Sequence, residues 1–564
     1  MKQLINDNAA NRSSFVGEVY NFGAKQKKIE SLNQLSIEER NLHIDGYIHI
    51  HDLDAFGLTY NCLTFDILRN FPYDEFKQAS GIRKIIYLFG YLKTLFADMG
   101  NEQSGGMALA NFDDDLATIL EKLGFEDTPS NRELLASNIA DLIVWCNNTH
   151  TRMGQTSYYV TFNIGLAHTD LAKFIAFTLI DEFQKLGPTI YKPNIVFKVA
   201  KGVNRFSGDK NFDLFSKALL CTAQKMIPTY LLCDCEGDKH ICPEKLSVMG
   251  CRTRVVDDIY GYEGAIGRGN ICCASINLPR LALEIDKSHK SESTLQKYDL
   301  FQKKWKEVAK TTSEILLKRY SATCNRNAND FPTNSNRQMW CVPFQDPKEV
   351  FKHGTISLGY IGLSEAMEIL TGTRFYEDMA TYDMAISFVK AMRKECDEMR
   401  SRYNLNFSLL ASSGEYISGR FIEIDKKLFT PTIDIFSKGF YTNSFHINVD
   451  SGIPARKKIE LEGPFHILSN GGSISYIELN EAPIGNDEGL RELVEIAISS
   501  GVHYLGINFP KDICKDCGYT GIFDDCPSCG SSNITRIRRV SGYLELLDGF
   551  TNGKKNEVRS RKNN

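Results

Sequence analysis

The sequence predicts an α/β fold. Segments with the apolar periodicity of helices alternate with short apolar runs typical of strands over about 500 residues. No internal repeat and no low-complexity block occurs, which argues against a solenoid. The composition, 42% hydrophobic and 24% charged over 564 residues, is that of an ordinary folded protein. A closed barrel fits this pattern as well as an open sheet does.

Several elements can be placed along the chain. Ser130 and Glu133 have the spacing of a capping box. They precede an apolar stripe at helical spacing, formed by Leu135, Ile139, Leu142, Ile143 and Cys146. A second long helix is predicted over 377–402. Strands are predicted over 194–200, which follows Pro193, and over 473–479, which follows two glycines.

Charge and termini indicate the compartment. The formal net charge of −4 is too balanced for the whole chain to act as a polyanion-binding surface, so we expect no nucleic-acid partner. The first fourteen residues carry charged and amide side chains where a secretion signal needs an apolar run, and no long apolar stretch follows. We therefore expect a cytoplasmic protein with no membrane segment. In that reducing compartment its 16 cysteines would serve as metal ligands, redox residues or core residues.

Four cysteines near the carboxyl terminus predict a metal site. Cys514 and Cys517 form one CxxC pair, and Cys526 and Cys529 form another after eight intervening residues. This spacing is typical of a zinc ribbon, in which four thiolates surround one Zn²⁺. Because four cysteine ligands leave no open coordination position, we interpret the site as structural.

A basic segment follows the cysteines. The tail over 551–564 has five basic residues and one acidic residue, and we expect it to be solvated and poorly ordered. Together with Arg536, Arg538 and Arg539, it leaves open a non-catalytic alternative, a zinc-ribbon protein that binds nucleic acid.

Two further motifs carry a family resemblance. Arg539-Val540-Ser541-Gly542-Tyr543 resembles the RVxGY signature of glycyl radical enzymes, and Met249-Gly250-Cys251-Arg252 resembles the thiyl loop of anaerobic, class III ribonucleotide reductases. Other segments similar to that family are Ile48-His49-Ile50-His51-Asp52, Asn61-Cys62, Asn101 to Gly106, His150-Thr151-Arg152, Gly267 to Asn270, Ile276 to Arg280, Leu358 to Leu363, Asn443 to His446 and Asn470-Gly471-Gly472. The resemblance covers nearly the whole chain.

The resemblance implies roles for individual residues. Gly542 would carry a stable radical and pass it to Cys251, which would take the 3′ hydrogen from a ribonucleotide. Cys62 would supply reducing power on the other face of the sugar. Asn270 would bind the substrate hydroxyls, although Asn277 is close enough in sequence to be the alternative.

The resemblance also implies the substrates and the reductant. The family acts on ribonucleoside triphosphates, and the small-residue loop formed by Ser412, Ser413 and Gly414 would bind their phosphates, since it precedes a predicted helix. Met249 fits the branch that uses formate. Formate is also favoured because the carboxyl-terminal cysteine pairs are assigned to metal and leave no mobile dithiol. No flavin or NAD is expected, since Gly354 to Gly359 lacks the spacing of a dinucleotide fingerprint.

The implied architecture is a ten-stranded α/β barrel with a small carboxyl-terminal zinc ribbon. We expect a catalytic barrel over 1–508 without an amino-terminal ATP-cone, the ribbon over 509–534, and the radical loop with its basic tail over 535–564. The implied partners are a radical-SAM activating enzyme, ATP and deoxynucleotide specificity effectors, and a second copy of the chain in a homodimer.

Two cysteine groups leave alternatives open. The adjacent Cys272 and Cys273 resemble the cysteine pair of pyruvate formate-lyase, a sister enzyme, but we interpret them as strand residues. Cys233 and Cys235, with His240 and Cys242 nearby, have metal-like spacing, but the family pattern assigns them no role.

Overall fold

The structure, a computed structural model, describes residues 15–150, 158–431 and 433–564. The amino-terminal residues used above to exclude a secretion signal, and Thr151 and Arg152 of one quoted motif, lie outside the described residues. None of the helices in the described part is long and apolar enough to cross a membrane.

The chain alternates between helices and strands. The helices are α1 Phe15–Asn33, α2 Ile37–Ile44, α3 Tyr73–Phe76, α4 Gly81–Met99, α5 Phe112–Lys122, α6 Pro129–Asn148, α7 Asp170–Lys185, α8 Phe212–Lys225, α9 Leu278–Ser288, α10 Thr294–Cys324, α11 Pro332–Arg337, α12 Pro347–Phe351, α13 Leu363–Thr371, α14 Met379–Tyr403, α15 Tyr416–Asp425, α16 Ala455–Leu468, α17 Asp487–Ser500 and α18 Asn552–Ser560. The strands are β1 Ile48–Ile50, β2 Cys62–Phe65, β3 Met107–Leu109, β4 Val160–Ile164, β5 Asn194–Val199, β6 Thr229–Leu232, β7 Arg268–Asn277, β8 Thr355–Ile361, β9 Asn406–Ala411, β10 Ser475–Glu478, β11 Tyr504–Asn508, β12 Lys511–Cys514, β13 Thr520–Gly521, β14 Ile534–Arg539 and β15 Leu544–Leu546.

Ten strands form the main sheet in the order β10-β11-β6-β5-β4-β3-β2-β7-β8-β9. Strands β2 to β6 run parallel to one another and form one half, and β7 to β11 form the other. The halves meet in antiparallel pairs at β2 with β7 and at β6 with β11. The short strand β1 adds to β7.

The sheet closes on itself between β9 and the segment before β10. The amide of Ala411 donates to the Gly472 carbonyl at 3.0 Å, and the amide of Gly471 donates to the Leu409 carbonyl at 2.8 Å. These bonds join the two ends of the strand order, so the predicted ten-stranded α/β barrel is confirmed. Apolar side chains of α4 to α8 cover one half from outside, and those of α9, α10, α13 and α14 cover the other.

The local predictions hold except at some element ends. The predicted strands over 194–200 and 473–479 correspond to β5 and β10, and the long helix over 377–402 corresponds to α14. The predicted cap of α6 at Ser130 was wrong, because the Thr128 side chain accepts from the Asn131 amide and Pro129 takes the first helical position. Proline favours that position, since its missing N–H has no partner there.

The carboxyl-terminal region forms a second sheet in the order β13-β12-β14-β15. The predicted boundary between residues 534 and 535 falls within β14, so the four cysteines and the radical loop share one sheet.

The expectation of a poorly ordered tail was wrong. Residues 552–560 form α18, in which Gly553, Lys554 and Glu557 are buried. Gly553 and Gly419 of α15 let the two helices approach closely. Arg561 bonds to Glu478 at 3.1 Å and to the Arg539 carbonyl at 2.6 Å. The tail is ordered because its charges have partners within the protein.

Candidate active site

The connection between β6 and β7 enters the barrel and carries Cys251 at its tip. We call this segment, residues 233–267, the finger loop. Met249 and Thr253 exchange backbone hydrogen bonds of 3.1 Å, which makes the tip a tight hairpin. A Cβ placed on Gly472 would lie only 2.1 Å from the Arg252 carbonyl oxygen. A glycine is therefore required at this point, where the barrel closes around the finger loop.

Gly542 lies directly against Cys251. Its φ is +106°, and a Cβ placed on it would lie 2.5 Å from the Cys251 Cα and 2.6 Å from the Cys251 Cβ. Since a Cβ is about 1.5 Å from its Cα, the Cα of Gly542 is within about 4 Å of the Cys251 Cβ. The structure therefore brings together the two residues that the sequence paired across 291 positions. No other residue type fits at position 542 without moving the finger loop.

Cys62 lies at the start of β2, close to the finger loop. Its Sγ accepts from the Gly106 amide at 3.1 Å and donates to the Asn61 Oδ1 at 2.8 Å. The Asn61 amide in turn donates to Asp52 at 2.7 Å. Cys62 packs with Met249, which is fully buried, so the thiol is fixed between a polar network and the base of the hairpin.

Burial sets the protonation of both thiols. It raises the pKa of Cys62 well above its usual range, with a smaller opposing effect from the Gly106 amide that donates to the thiol. Burial also raises the pKa of Cys251, with a smaller opposing effect from the Arg252 guanidinium. Both residues are therefore neutral thiols at neutral pH, which is the form that carries a transferable hydrogen atom.

The two candidate asparagines occupy different places. Asn270 pairs with Cys62 across β2 and β7, and its side-chain amide donates to the Thr355 Oγ1 at 3.0 Å and the Ser357 Oγ at 2.8 Å. Asn277 caps α9 and donates to Asp425 at 2.9 Å. Of the two, Asn270 is the one beside a predicted active-site cysteine.

The predicted phosphate loop follows β9 and ends where α15 begins. The Ser413 Oγ lies 3.7 Å from the Cys251 Sγ, and the Ser412 Oγ lies 2.6 Å from the Ser275 Oγ. The Gly414 amide already donates to the Asn443 side chain. That amide is therefore committed within the protein, and the loop's serine hydroxyls and the amides at the start of α15 are the donors left to consider.

Sequence reasoning gave no role to Glu415, which adjoins this loop. Its carboxylate accepts from the Tyr543 hydroxyl at 3.1 Å, and its charge raises the pKa of Cys251 after the larger effect of burial. The Tyr543 ring packs against Tyr159, with centroids 5.2 Å apart. The available signal was its place immediately after the small-residue loop, which positions it at the helix start.

The four cysteines of the second sheet converge as predicted. The Sγ atoms of Cys514 and Cys529 are 3.5 Å apart, as are those of Cys517 and Cys526, and all four lie within 4.8 Å of one another. Thiolates about 2.3 Å from a tetrahedral Zn²⁺ are separated by about 3.8 Å. The cluster is compatible with a zinc ion.

Two alternative interpretations lose support: an adjacent pair of reactive cysteines, and a basic surface that binds nucleic acid. Cys272 points outward to the Leu316 carbonyl at 3.7 Å, in the core between barrel and helices, and its neighbour Cys273 in the same strand belongs to the other face. Arg539 is buried against the Ile507 carbonyl at 3.0 Å, and Arg538 pairs with Asp512 at 2.7 Å. The adjacent cysteines therefore cannot act as one reactive pair, and these arginines do not form a free basic surface.

The chain is similar to known proteins over nearly its whole length. It is 29% identical to the anaerobic ribonucleoside-triphosphate reductase of Enterobacteria phage T4, over 99% of this chain and 97% of that protein. It is 28% identical to that of Escherichia coli (strain K12), over 99% of this chain and 83% of that protein. A solved structure of the anaerobic ribonucleotide reductase from Thermotoga maritima, in complex with dATP and CTP, matches with a TM-score of 0.73 at 13% identity, over 97% of this chain and 92% of that chain.

The barrel with a cysteine-tipped loop at its centre is thus the fold of the anaerobic ribonucleotide reductases. The family model described as anaerobic ribonucleoside-triphosphate reductase matches residues 7–563. The chain belongs to that family, and the resemblance drawn from its motifs is confirmed.

Proposed function

We propose that this chain reduces ribonucleoside triphosphates to 2′-deoxyribonucleoside triphosphates with a radical stored on Gly542 and with formate as the reductant. The contact between Gly542 and Cys251 carries the proposal. Position 542 has no room for a side chain, and Gly542 packs against the neutral thiol residue Cys251 at the centre of the barrel. This arrangement is suited to hydrogen-atom transfer between Gly542 and Cys251.

The radical would move from Gly542 to Cys251 before the substrate reacts and would return to Gly542 afterwards. The Gly542 radical takes the hydrogen of the Cys251 thiol, which leaves a thiyl radical. The thiyl takes the 3′ hydrogen of the ribose, and the 2′ hydroxyl leaves as water after it gains a proton. As water leaves, the 3′ hydroxyl loses its proton, and a hydrogen atom from Cys62 reaches the 2′ carbon, which leaves a 3′ ketone and a Cys62 thiyl radical. Formate then gives its hydrogen atom to the Cys62 sulfur, and the remaining carbon dioxide radical anion passes its electron to the ketone, which takes up a proton, and leaves as carbon dioxide. Cys251 finally returns its hydrogen to the 3′ carbon. The Gly542 Cα lies within about 4 Å of the Cys251 Cβ, which places the thiol beside the carbon that would carry the radical. The transfer itself needs the Sγ within about 3–3.5 Å of that carbon.

Formate balances the reaction. One ribonucleotide, one formate and one proton give one deoxyribonucleotide, one water and one carbon dioxide, so formate supplies the two electrons. Met249 of the finger loop fits the branch of the family that uses formate, and its buried side chain packs with Cys62 of β2. Turnover should require formate and should not be restored by thioredoxin or glutaredoxin. Equal activity with a dithiol alone would contradict formate as the reductant.

Substrate binding would use both cysteine-bearing halves of the barrel. Asn270 would accept from the ribose hydroxyls beside Cys62 through its side-chain oxygen, since its two amide hydrogens donate to Thr355 and Ser357. In the loop of Ser412, Ser413 and Gly414, the serine hydroxyls, together with the amides at the start of α15, would bind the triphosphate. A relative's structure contains dATP and CTP, which supports nucleotide substrates and nucleotide specificity effectors for this chain as well.

The proposal includes the remaining partners. Cys514, Cys517, Cys526 and Cys529 would hold a structural Zn²⁺, which would fix the sheet that presents Gly542. A radical-SAM activating enzyme would form the radical, two copies of the chain would form the working enzyme, and a reducing cytoplasmic setting would keep the thiols free.

The radical itself is the decisive test. Anaerobic treatment with the activating enzyme should give an EPR doublet, and Gly542→Ala should abolish it. Gly485→Ala is the matched control, because Gly485 also has a positive φ of +80° but has open space around it. That variant should keep the doublet. Absence of a doublet from the unaltered chain under conditions that activate a relative would overturn the proposal.

A further inference from the structure

Three side chains with metal-ligand chemistry meet at the base of the finger loop, away from the zinc ribbon. Cys235 and Asp238 lie in the turn that follows β6, and His503 immediately precedes β11. All three are buried. One ligand atom from each lies within 4.8 Å of the other two.

Their spacing matches a tetrahedral zinc site. The Cys235 Sγ is 3.5 Å from the Asp238 Oδ2, and the His503 Nδ1 is 3.7 Å from the same oxygen. Zn–S and Zn–O bonds of about 2.3 and 2.0 Å at a tetrahedral angle separate sulfur from oxygen by about 3.5 Å, and two bonds of about 2.0 Å separate nitrogen from oxygen by about 3.3 Å. Small shifts would bring all three atoms onto one ion.

The His503 ring is the ligand without a hydrogen bond in the described part of the chain, whereas the Cys235 thiol donates to the Asp238 Oδ2 at 3.5 Å, a bond that a metal ion would replace. Neither ring nitrogen of His503 has a hydrogen-bond partner among the described residues, although the residue is only 2% exposed. The Asp238 Oδ1 pairs with the Arg254 guanidinium, so Oδ2 is the oxygen that faces the cysteine and the histidine. A buried imidazole without partners is costly in free energy, and a metal bond to Nδ1 would remove the part of that cost that arises at Nδ1.

Gly237 allows this arrangement. A Cβ at this position would lie 2.6 Å from the His503 Nε2. The imidazole therefore rests its Nε2 edge against the backbone of the turn and directs its Nδ1 edge towards Asp238.

We propose that Cys235, Asp238 and His503 bind a second Zn²⁺, with the Arg254 guanidinium holding the unbound oxygen of the carboxylate. A thiolate and a carboxylate would neutralise the ion while the imidazole stays neutral, and the Arg254 guanidinium would leave the cluster with one net positive charge. Three protein ligands leave the fourth position of the ion for a water molecule. A cavity of about 280 Å³ borders His503 and Gly237, but Cys235 and Asp238 do not line it. This site does not depend on the reaction that the barrel performs.

The proposed zinc site would connect the two halves of the barrel. His503 belongs to the half of the barrel formed by β7 to β11, and the Cys235 turn follows the last strand of the other half. A metal bond would therefore join the halves at their β6 and β11 junction, at the point where the finger loop leaves the barrel wall. Of the cysteines with metal-like spacing in this region, only Cys235 takes part. The Cys233 Sγ faces the Leu231 carbonyl at 3.8 Å, and Cys242 is exposed beside Glu244.

Zinc content of the full-length chain tests the proposal. After dialysis against a weak chelator, elemental analysis should find two zinc ions per folded chain. Cys235→Ser and His503→Gln should each lower the count to one, and Cys517→Ser/Cys529→Ser should also leave one. Cys233→Ser is the matched control and should keep two, since its thiol is equally buried but points elsewhere.

A spectroscopic measurement covers the case in which a variant folds poorly. In the Cys517→Ser/Cys529→Ser background, Co²⁺ should give a thiolate-to-metal absorption band from one sulfur ligand, and adding Cys235→Ser should remove it. A count of one zinc in the unaltered chain, with none left after the ribbon substitutions and no cobalt band in that background, would overturn the proposal.

Discussion

Replacing Lys554 by methionine should make the turn that carries Gly542 open locally more often. Lys554 lies in α18 and is fully buried. Its ammonium donates to the Ser541 Oγ at 2.8 Å, next to Gly542. It also lies 5.3 Å from the centre of the Phe550 ring and 5.9 Å from that of Tyr543. Methionine retains the length of the side chain, so the substitution removes the charge and leaves most of the packing.

The magnitude follows from these contacts. A hydrogen bond from a charged group contributes about 1.5–3 kcal/mol, and a desolvated cation–π contact adds up to about 2 kcal/mol. Relief from burying the ammonium and new contacts between sulfur and the rings offset part of this loss. We expect the free energy of local opening around Gly542 to fall by about 2 kcal/mol, which corresponds to about 30-fold faster amide exchange.

Native-state hydrogen exchange measures this opening directly. The amides of 539–544 should exchange about 30-fold faster in Lys554→Met. The neighbouring Lys555 is partly exposed, and its ammonium bonds only to the Asp548 carbonyl, at 3.2 Å, among the described residues. Lys555→Met is therefore the matched control and should change the rate by less than about threefold. Equal exchange in the two variants would refute the reasoning that a buried ammonium holds the loop.

Four further predictions concern the thiols. Cys62→Ser should keep the EPR doublet but lower turnover per radical by about 10³-fold or more. The Cys272 thiol faces the outer core, so Cys272→Ser should keep at least a tenth of the activity. Loss of turnover in both variants or in neither would contradict the role proposed for Cys62. Because burial raises the pKa of Cys251 and of Cys62, turnover per radical should persist above about pH 8.5, where an exposed thiol ionises, and a decline centred below that pH would contradict the neutral-thiol requirement. The same raised pKa values mean that the stability contributed by the neutral thiols is complete below about pH 8.5 and is lost as pH rises towards the folded-state pKa, which chemical denaturation at several pH values can measure. Cys517→Ser should lose one zinc ion per chain and lower the yield of glycyl radical, whereas an unchanged yield would separate the metal from the radical loop.

Many helices and strands could be predicted from the sequence, because their buried faces require apolar residues at regular spacing. The apolar stripe from Leu135 to Cys146 predicted the buried face of α6 residue by residue, and apolar runs predicted β5 and β10. Periodicity could not show that the sheet closes, because closure depends on two backbone hydrogen bonds between β9 and Gly471–Gly472. The family resemblance supplied the barrel.

The site was predictable where one residue type is chemically required. Gly542, Cys251 and the four clustered cysteines could be located from motifs, because the roles proposed for them require a glycine or a thiol. Glu415, Lys554 and His503 could not, because their importance comes from neighbours far away in sequence. The tail was misjudged for the same reason: a basic composition predicts solvent exposure, but Lys554 and Arg561 have buried partners.

Metal binding and radical position are linked through one short sheet. Cys514 ends β12 and pairs with Ile534 of β14, and Arg539 at the other end of β14 pairs with Leu544 of β15. Residues 540–543, with Gly542 among them, form the turn between β14 and β15. The buried Arg539 guanidinium fixes this turn to the barrel through the Ile507 carbonyl and the Asn508 side chain, both at 3.0 Å. An ion held by the cysteines thus orders the strand that leads to Gly542, so loss of the metal should disturb the approach of Gly542 to Cys251 before it disturbs the barrel.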